Sequence, residues 1–143
     1  MSDEQKTRIV IADDHTLFRA GLRAAIEQEP GYTVVGESID GEEALQLVLK
    51  TQPDVLVTDI NMPGLNGIDL ARKVIESDAP TEVILLTMYN DAEFVREGIH
   101  RGAMGYLLKD GATGEIVQAI ESARNKQFHL GEGVRQPKDL PVS

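Results

Sequence analysis

Cysteine is absent from all 143 residues. That excludes disulfides, thiol catalysis and cysteine-ligated zinc, and fits a reducing, cytoplasmic setting. No apolar run approaches membrane-spanning length, and the opening Met1-Ser2-Asp3-Glu4-Gln5-Lys6 lacks signal-peptide character. Neither Gly-x-Gly-x-x-Gly nor a P-loop is present, which argues against a nucleotide-binding domain. Positive charge is scarce: 14 Lys and Arg stand against 24 Asp and Glu, a formal net charge of −10. So acidic a surface repels nucleic-acid phosphates and anionic lipid, so no membrane contact and no direct DNA binding by this chain are expected. Most of the acidity serves solubility; part of it is expected in one acidic site.

The chain that remains is long enough for one domain with a real core. Short apolar runs alternate with helical patterns. Ile9-Val10-Ile11-Ala12 runs into Asp13-Asp14, Val55-Leu56-Val57-Thr58 into Asp59, Val83-Ile84-Leu85-Leu86 into Thr87, and Tyr106-Leu107-Leu108 into Lys109. These read as buried strands, with Thr33-Val34-Val35-Gly36 a weaker one. Helical faces follow over 16–28, after the cap Asp40, after the turn Met62-Pro63-Gly64, around 91–100 and over about 114–124. Five βα units imply a parallel sheet with helices on both faces. Ligands of such sheets bind beyond the carboxyl ends of the strands, which is where the three acids, the threonine and the lysine fall.

Three carboxylates at one edge raise one another's pKa unless a cation compensates. Asp13, Asp14 and Asp59 form an all-oxygen set suited to Mg²⁺, with Mn²⁺ able to substitute. His15 is expected to be a solvated helix-start residue, or at most an outer group. A metal, an ammonium and a hydroxyl around one carboxylate suit phosphoryl transfer, in which the protein positions and neutralises. Asp59, alone on its strand, is the better nucleophile; Asp13 and Asp14 are the better metal pair. Taken singly, each of these acids is more often a cap or turn residue, Thr87 a strand-end cap and Lys109 a surface charge. Their joint arrangement carries the reading.

Ile11-Ala12-Asp13-Asp14-His15, Asp59-Ile60-Asn61-Met62-Pro63-Gly64, Leu86-Thr87 and Gly105-Tyr106-Leu107-Leu108-Lys109 together resemble a response-regulator receiver domain over roughly 7–125. Two longer stretches, 13–19 and 105–110, are more specifically similar to NarL/FixJ-type (LuxR-like) two-component transcription regulators. The resemblance implies a flavodoxin-like, doubly wound (βα)5 three-layer sandwich with a parallel sheet in order 2-1-3-4-5, the order given for receiver proteins generally. It implies that Asp59 is the phosphoacceptor, charged by the phosphohistidine of a sensor histidine kinase. Asp13, Asp14, Asp59 and the backbone carbonyl of Asn61 would hold Mg²⁺. Thr87 and Lys109 would grip the phosphoryl oxygens, and Tyr106 would be the aromatic switch whose ring turns inward after phosphorylation, altering the surface of helix 4, strand 5 and helix 5. Asn61, Met88 and Tyr89 fall at positions that tune the reaction rate, Met88 by narrowing access. Asp110 stands where many receivers carry proline, so no cis bond is expected there.

The expected organisation is an N-terminal tail over 1–6, a receiver over 7–127 and a linker over 128–143. The helix-turn-helix DNA-binding domain usual in the subfamily is absent from this chain. DNA would then be a partner of a parent protein only. A second copy of the chain, in a homodimer formed with or without phosphorylation, is the other expected partner. The chain is expected to catalyse only its own phosphorylation and dephosphorylation, and so not to be an enzyme. Three other readings remain: a stand-alone receiver, an unphosphorylated pseudo-receiver that serves as an interaction module, and, remotely, a haloacid-dehalogenase-like phosphatase. The last needs an aspartate two residues after the nucleophile, where this chain has Asn61.

Overall fold

The protein is described here by a computed structural model over residues 6–134. The order of elements is β1 (Thr7–Ala12), α1 (Thr16–Glu27), β2 (Tyr32–Ser38), α2 (Gly41–Thr51), β3 (Val55–Asp59), α3 (Gly67–Glu76), β4 (Glu82–Thr87), α4 (Ala92–His100), β5 (Gly105–Leu108), α5 (Ala112–Arg124) and β6 (His129–Leu130). The sheet runs β2-β1-β3-β4-β5-β6, and every neighbouring pair is parallel. The doubly wound sandwich and the order of its first five strands are as expected. β6 is an addition.

Both faces of the central strands are covered, which is why those strands read as unbroken apolar runs. Alternation along each strand divides the core in two. Ile9, Ile11, Val55, Val57, Ile84, Leu86 and Leu107 pack with Leu22 and Ile26 of α1 and Ile116 and Ile120 of α5. Val10, Leu56, Val83, Leu85 and Tyr106 face the other way, onto α2, α3 and α4. Each fully buried Leu or Ile side chain contributes about 1.5–3 kcal/mol.

Local chemistry sets the helix starts. Asp40 accepts from the Glu43 amide, Asn66 from the Asp69 amide and Asp91 from the Glu93 amide, each satisfying a donor that the helix itself cannot. The expected Pro63-Gly64 turn is there, with Gly64 at φ 74°. Gly67 lets α3 start against the end of β3; a Cβ at that position would lie 2.3 Å from the Asp59 carbonyl oxygen.

Register then fixes the functional edge. Ala12 pairs with Thr58, Asp59 with Leu86 and Thr87 with Leu108. Asp13 and Asp59 are therefore level, and Thr87 and Lys109 end the next two strands one and two residues further along. Against the sequence reading, α5 starts at Ala112 rather than Gly114, and residues 128–134 lie against the sheet. The remainder of the expected linker, 135–143, and residues 1–5 of the expected tail lie outside the described residues.

Candidate functional site at the strand ends

Asp59 closes β3 with only 2% of its surface exposed. Its Oδ1 accepts the Asn61 backbone N–H at 3.2 Å, and its Oδ2 accepts from Lys109 Nζ at 3.0 Å. Burial raises the carboxyl pKa above its ordinary value, and the lysine only partly offsets this. Relative to water, the pocket thus disfavours the bare anion, a cost that added positive charge would offset.

Asp13 is fully buried. Its Oδ1 accepts the His15 backbone N–H at 2.7 Å, and its own carbonyl accepts from Arg19 Nη1 at 2.6 Å. Its Oδ2 lies 2.7 Å from Lys109 Nζ but has no partner in hydrogen-bond geometry. That contact is an ion pair and not a directed bond. Asp14 follows on the rim, its side chain 35% exposed.

Ligand atoms of Asp13, Asp14, His15 and Asp59 all lie within 4.8 Å of one another. Three carboxylates meet one ammonium, so the cluster falls two positive charges short of neutral. A buried carboxylate oxygen without a hydrogen bond, Asp13 Oδ2, lines it. Oxygen-rich donors with that charge deficit fit a hard divalent cation such as Mg²⁺.

The remaining expected residues surround this cluster. Thr87 is fully buried at the end of β4, its Oγ1 accepting the Tyr89 N–H at 3.0 Å, while its carbonyl accepts the Lys109 N–H at 2.7 Å. Met88 and Tyr89 are exposed, Met88 sharing a shallow hollow with His15, Phe18, Lys109 and Asp110. Asn61 is exposed, with its N–H on Asp59. Tyr106 sits apart from the acids. Its ring is wholly buried beside Gly98 of α4, and its hydroxyl faces Thr87 without a hydrogen bond. Burial pushes that phenol up to about 12.

One neighbour differs from expectation. The His15 ring is 56% exposed, as a helix-start residue should be, yet its Nδ1 stands 2.7 Å from Lys109 Nζ. Local spacing could not show this contact, because the two residues are 94 apart in sequence. Phe18 of α1 is a second such neighbour, its ring centroid 4.7 Å from the same ammonium. Among the described residues no helix is long and apolar enough to cross a membrane, and no peptide bond is cis.

Comparison with known proteins gives a consistent result. Residues 9–121 match the family described as the response regulator receiver domain. The chain is 40% identical over 119 residues to the transcriptional regulatory protein DegU of Brevibacillus brevis, covering 83% of this chain and 50% of that protein. It is 34% identical over 134 residues to the nitrate/nitrite response regulator NarL of Escherichia coli K12, covering 94% of this chain and 62% of NarL. The chain thus spans about half to three-fifths of these relatives. Among solved structures, the receiver domain of NarL from Mycobacterium tuberculosis superposes with a TM-score of 0.83 at 37% identity, covering 86% of this chain and 99% of that one.

Proposed function

The chain belongs to the response regulator receiver domain family, in its NarL/LuxR branch, and we propose that it carries a phosphoryl group on Asp59. The observation that carries this reading is a nearly buried carboxylate held between a backbone N–H and the Lys109 ammonium, at the mouth of an acidic pocket. Asn61 two residues on supplies no second acid, which removes the haloacid-dehalogenase alternative.

In the reaction, an Asp59 oxygen attacks the phosphorus of a phosphohistidine on a sensor histidine kinase. The P–N bond breaks and its electron pair returns to the kinase imidazole, leaving an acyl phosphate. Asp13, Asp14 and Asp59, with the Asn61 carbonyl, would hold Mg²⁺, which when bound would supply the charge that lets phosphoryl oxygens approach three carboxylates. Lys109 releases Asp59 to contact the incoming oxygens. Thr87 exchanges its bond from the Tyr89 amide for one to the phosphoryl group. Hydrolysis reverses the load, at a rate set by Asn61, Met88 and Tyr89 around the attacking water's path.

The output is a population shift at α4, β5 and α5. Tyr106 is buried against α4, and the phosphoryl load would act by favouring this packing. Of these relatives, DegU is by name a transcriptional regulatory protein and NarL a nitrate/nitrite response regulator. In a parent protein of their length, the controlled output is a helix-turn-helix domain that binds DNA, and homodimers form through the switched surface in the cytoplasm.

The test is intact-protein mass after incubation with acetyl phosphate and Mg²⁺, beside Asp59→Asn. A labile gain of one phosphoryl group in the wild type alone is expected. No gain from acetyl phosphate or from a promiscuous histidine kinase, with folded protein, overturns phosphoacceptance in favour of an interaction module.

A further inference from the structure

Lys109 does more than flank Asp59: its ammonium is caged. Nζ lies 2.7 Å from Asp13 Oδ2, 3.0 Å from Asp59 Oδ2 and 2.7 Å from His15 Nδ1, with the Phe18 ring centroid at 4.7 Å. The lysine side chain is only 7% exposed. An ammonium has no lone pair, so at this contact the imidazole accepts at Nδ1 and carries its proton on Nε2. The same Nδ1 lies 3.3, 3.6 and 3.9 Å from oxygens of Asp13, Asp14 and Asp59. An unprotonated nitrogen among three carboxylates is favourable only with a cation beside it, and here the cation is the lysine's own.

Helix α1 forgoes something for this arrangement. His15 is its N-cap residue, yet its side chain makes no capping bond, where Ser, Asp or Asn would satisfy a free amide. The ring is committed to the ammonium instead. Phe18, one turn along α1, closes the other side with its negative π face.

We propose that His15, backed by Phe18, is a positioning residue that holds the Lys109 ammonium against Asp13 and Asp59 and thereby weakens the pocket's hold on a divalent cation. The inference rests on the acidic pocket being the cation site. The ammonium and a divalent ion need the same two carboxylates, so whatever anchors one disfavours the other. His15 thus sets how readily the resting chain is loaded, without touching the phosphoryl group.

The experiment is titration with Mn²⁺ alone, read by loss of the free-ion electron paramagnetic resonance signal, on the full chain without phosphodonor. His15→Ala is expected to bind Mn²⁺ about three- to tenfold more tightly than wild type, the scale of one ordinary net hydrogen bond. His15→Gln, whose side-chain carbonyl can still accept, should return near wild type, and Phe18→Leu should show a smaller gain. In a Lys109→Met background, His15→Ala should change nothing, because the effect runs through the ammonium. Circular dichroism confirms that each variant is folded. Unchanged or weaker Mn²⁺ binding in His15→Ala overturns the inference, weaker binding meaning that the ring is itself a ligand. An equal gain with and without Lys109 overturns it too. Asp13→Asn separates the premise: if it lowers Mn²⁺ affinity, the cation pocket stands whatever His15 does; if it does not, pocket and inference fall together.

Discussion

The carboxyl ends of the strands and the outer edge of β5 are built on opposite terms. At the strand ends, Asp13 and Asp59 are buried with too little positive charge, and the fold tolerates an electrostatic cost that no packing relieves. At the β5 edge the backbone groups turned toward β6 are paired. The Gly131 and His129 amides bond the Tyr106 and Met104 carbonyls at 2.8 and 3.0 Å, Phe128, Leu130 and Val134 pack on the α2–α4 side of the core, and Glu115 accepts the Glu132 amide at 2.9 Å. Covering a sheet edge removes unpaired backbone groups that would otherwise invite another chain. The two regions meet near Thr87. Asn90, three residues on, donates to the Gly133 carbonyl at 2.7 Å, and Tyr106 faces Thr87 with its hydroxyl while its carbonyl accepts the Gly131 amide. The chain concentrates instability where chemistry is to happen and keeps the flank well bonded.

Substitutions can break or sharpen this contrast. The largest effect is expected at Gly67, where the strand end has no room: a Cβ would meet the Asp59 carbonyl oxygen at 2.3 Å and Ile60 Cα at 2.8 Å. Since only backbone could move, Gly67→Ala should cost about 3 kcal/mol in chemical denaturation. A loss below about 0.5 kcal/mol would mean that the α3 start is looser than this packing requires.

Next comes the charge itself. The Asp59 pKa is raised in the folded chain, so the folded state binds the proton more tightly. The stability from that proton is full below the unfolded value and is lost as pH rises through the folded one. Without divalent cations, Asp59→Asn should therefore be more stable than wild type at neutral pH. Thermal unfolding from acid to neutral pH should show the gap opening as pH rises. A gap that closes instead would make Lys109, and not burial, the dominant influence on Asp59.

Smaller still is the gain at Tyr106. Its buried hydroxyl has no hydrogen bond, so Tyr106→Phe should raise stability by about 1 kcal/mol; a loss of that size would reveal a bond to Thr87 after all. The least global effect belongs to the edge. A Cβ at Gly131 would come within 2.9 Å of Leu107 Cδ2 and 3.1 Å of Leu107 Cα. Gly131→Val should speed hydrogen exchange at the amides of residues 129 and 131 while shifting overall stability by under about 0.5 kcal/mol.

The same contrast explains what could be read from residues alone. Central strands buried on both faces announce themselves as apolar runs, and a polar residue ending each run is visible because it breaks the run. Asp13, Asp14, Asp59, Thr87 and Lys109 were legible for that reason, and the strand order followed from resemblance to the receiver family. β6 was not legible. His129-Leu130 is a two-residue strand with no period, entered through Lys126 at φ 60°, and its partners lie on β5 more than twenty residues earlier. The His15 contact was hidden likewise: it forms only when β5 has brought Lys109 back beside β1's end. The inward ring of Tyr106 depends on its packing against α4, which a residue string does not display.

The most direct test of the central claim locates the phosphoryl group. Protein treated with acetyl phosphate and Mg²⁺ is reduced with borohydride, which converts an aspartyl phosphate to homoserine, and its peptides are sequenced by mass spectrometry. Homoserine at position 59 in wild type, and at no position in Asp59→Asn, is the expected result. Homoserine at Asp13 or Asp14 in the wild type, with Asp59 intact, would contradict the account.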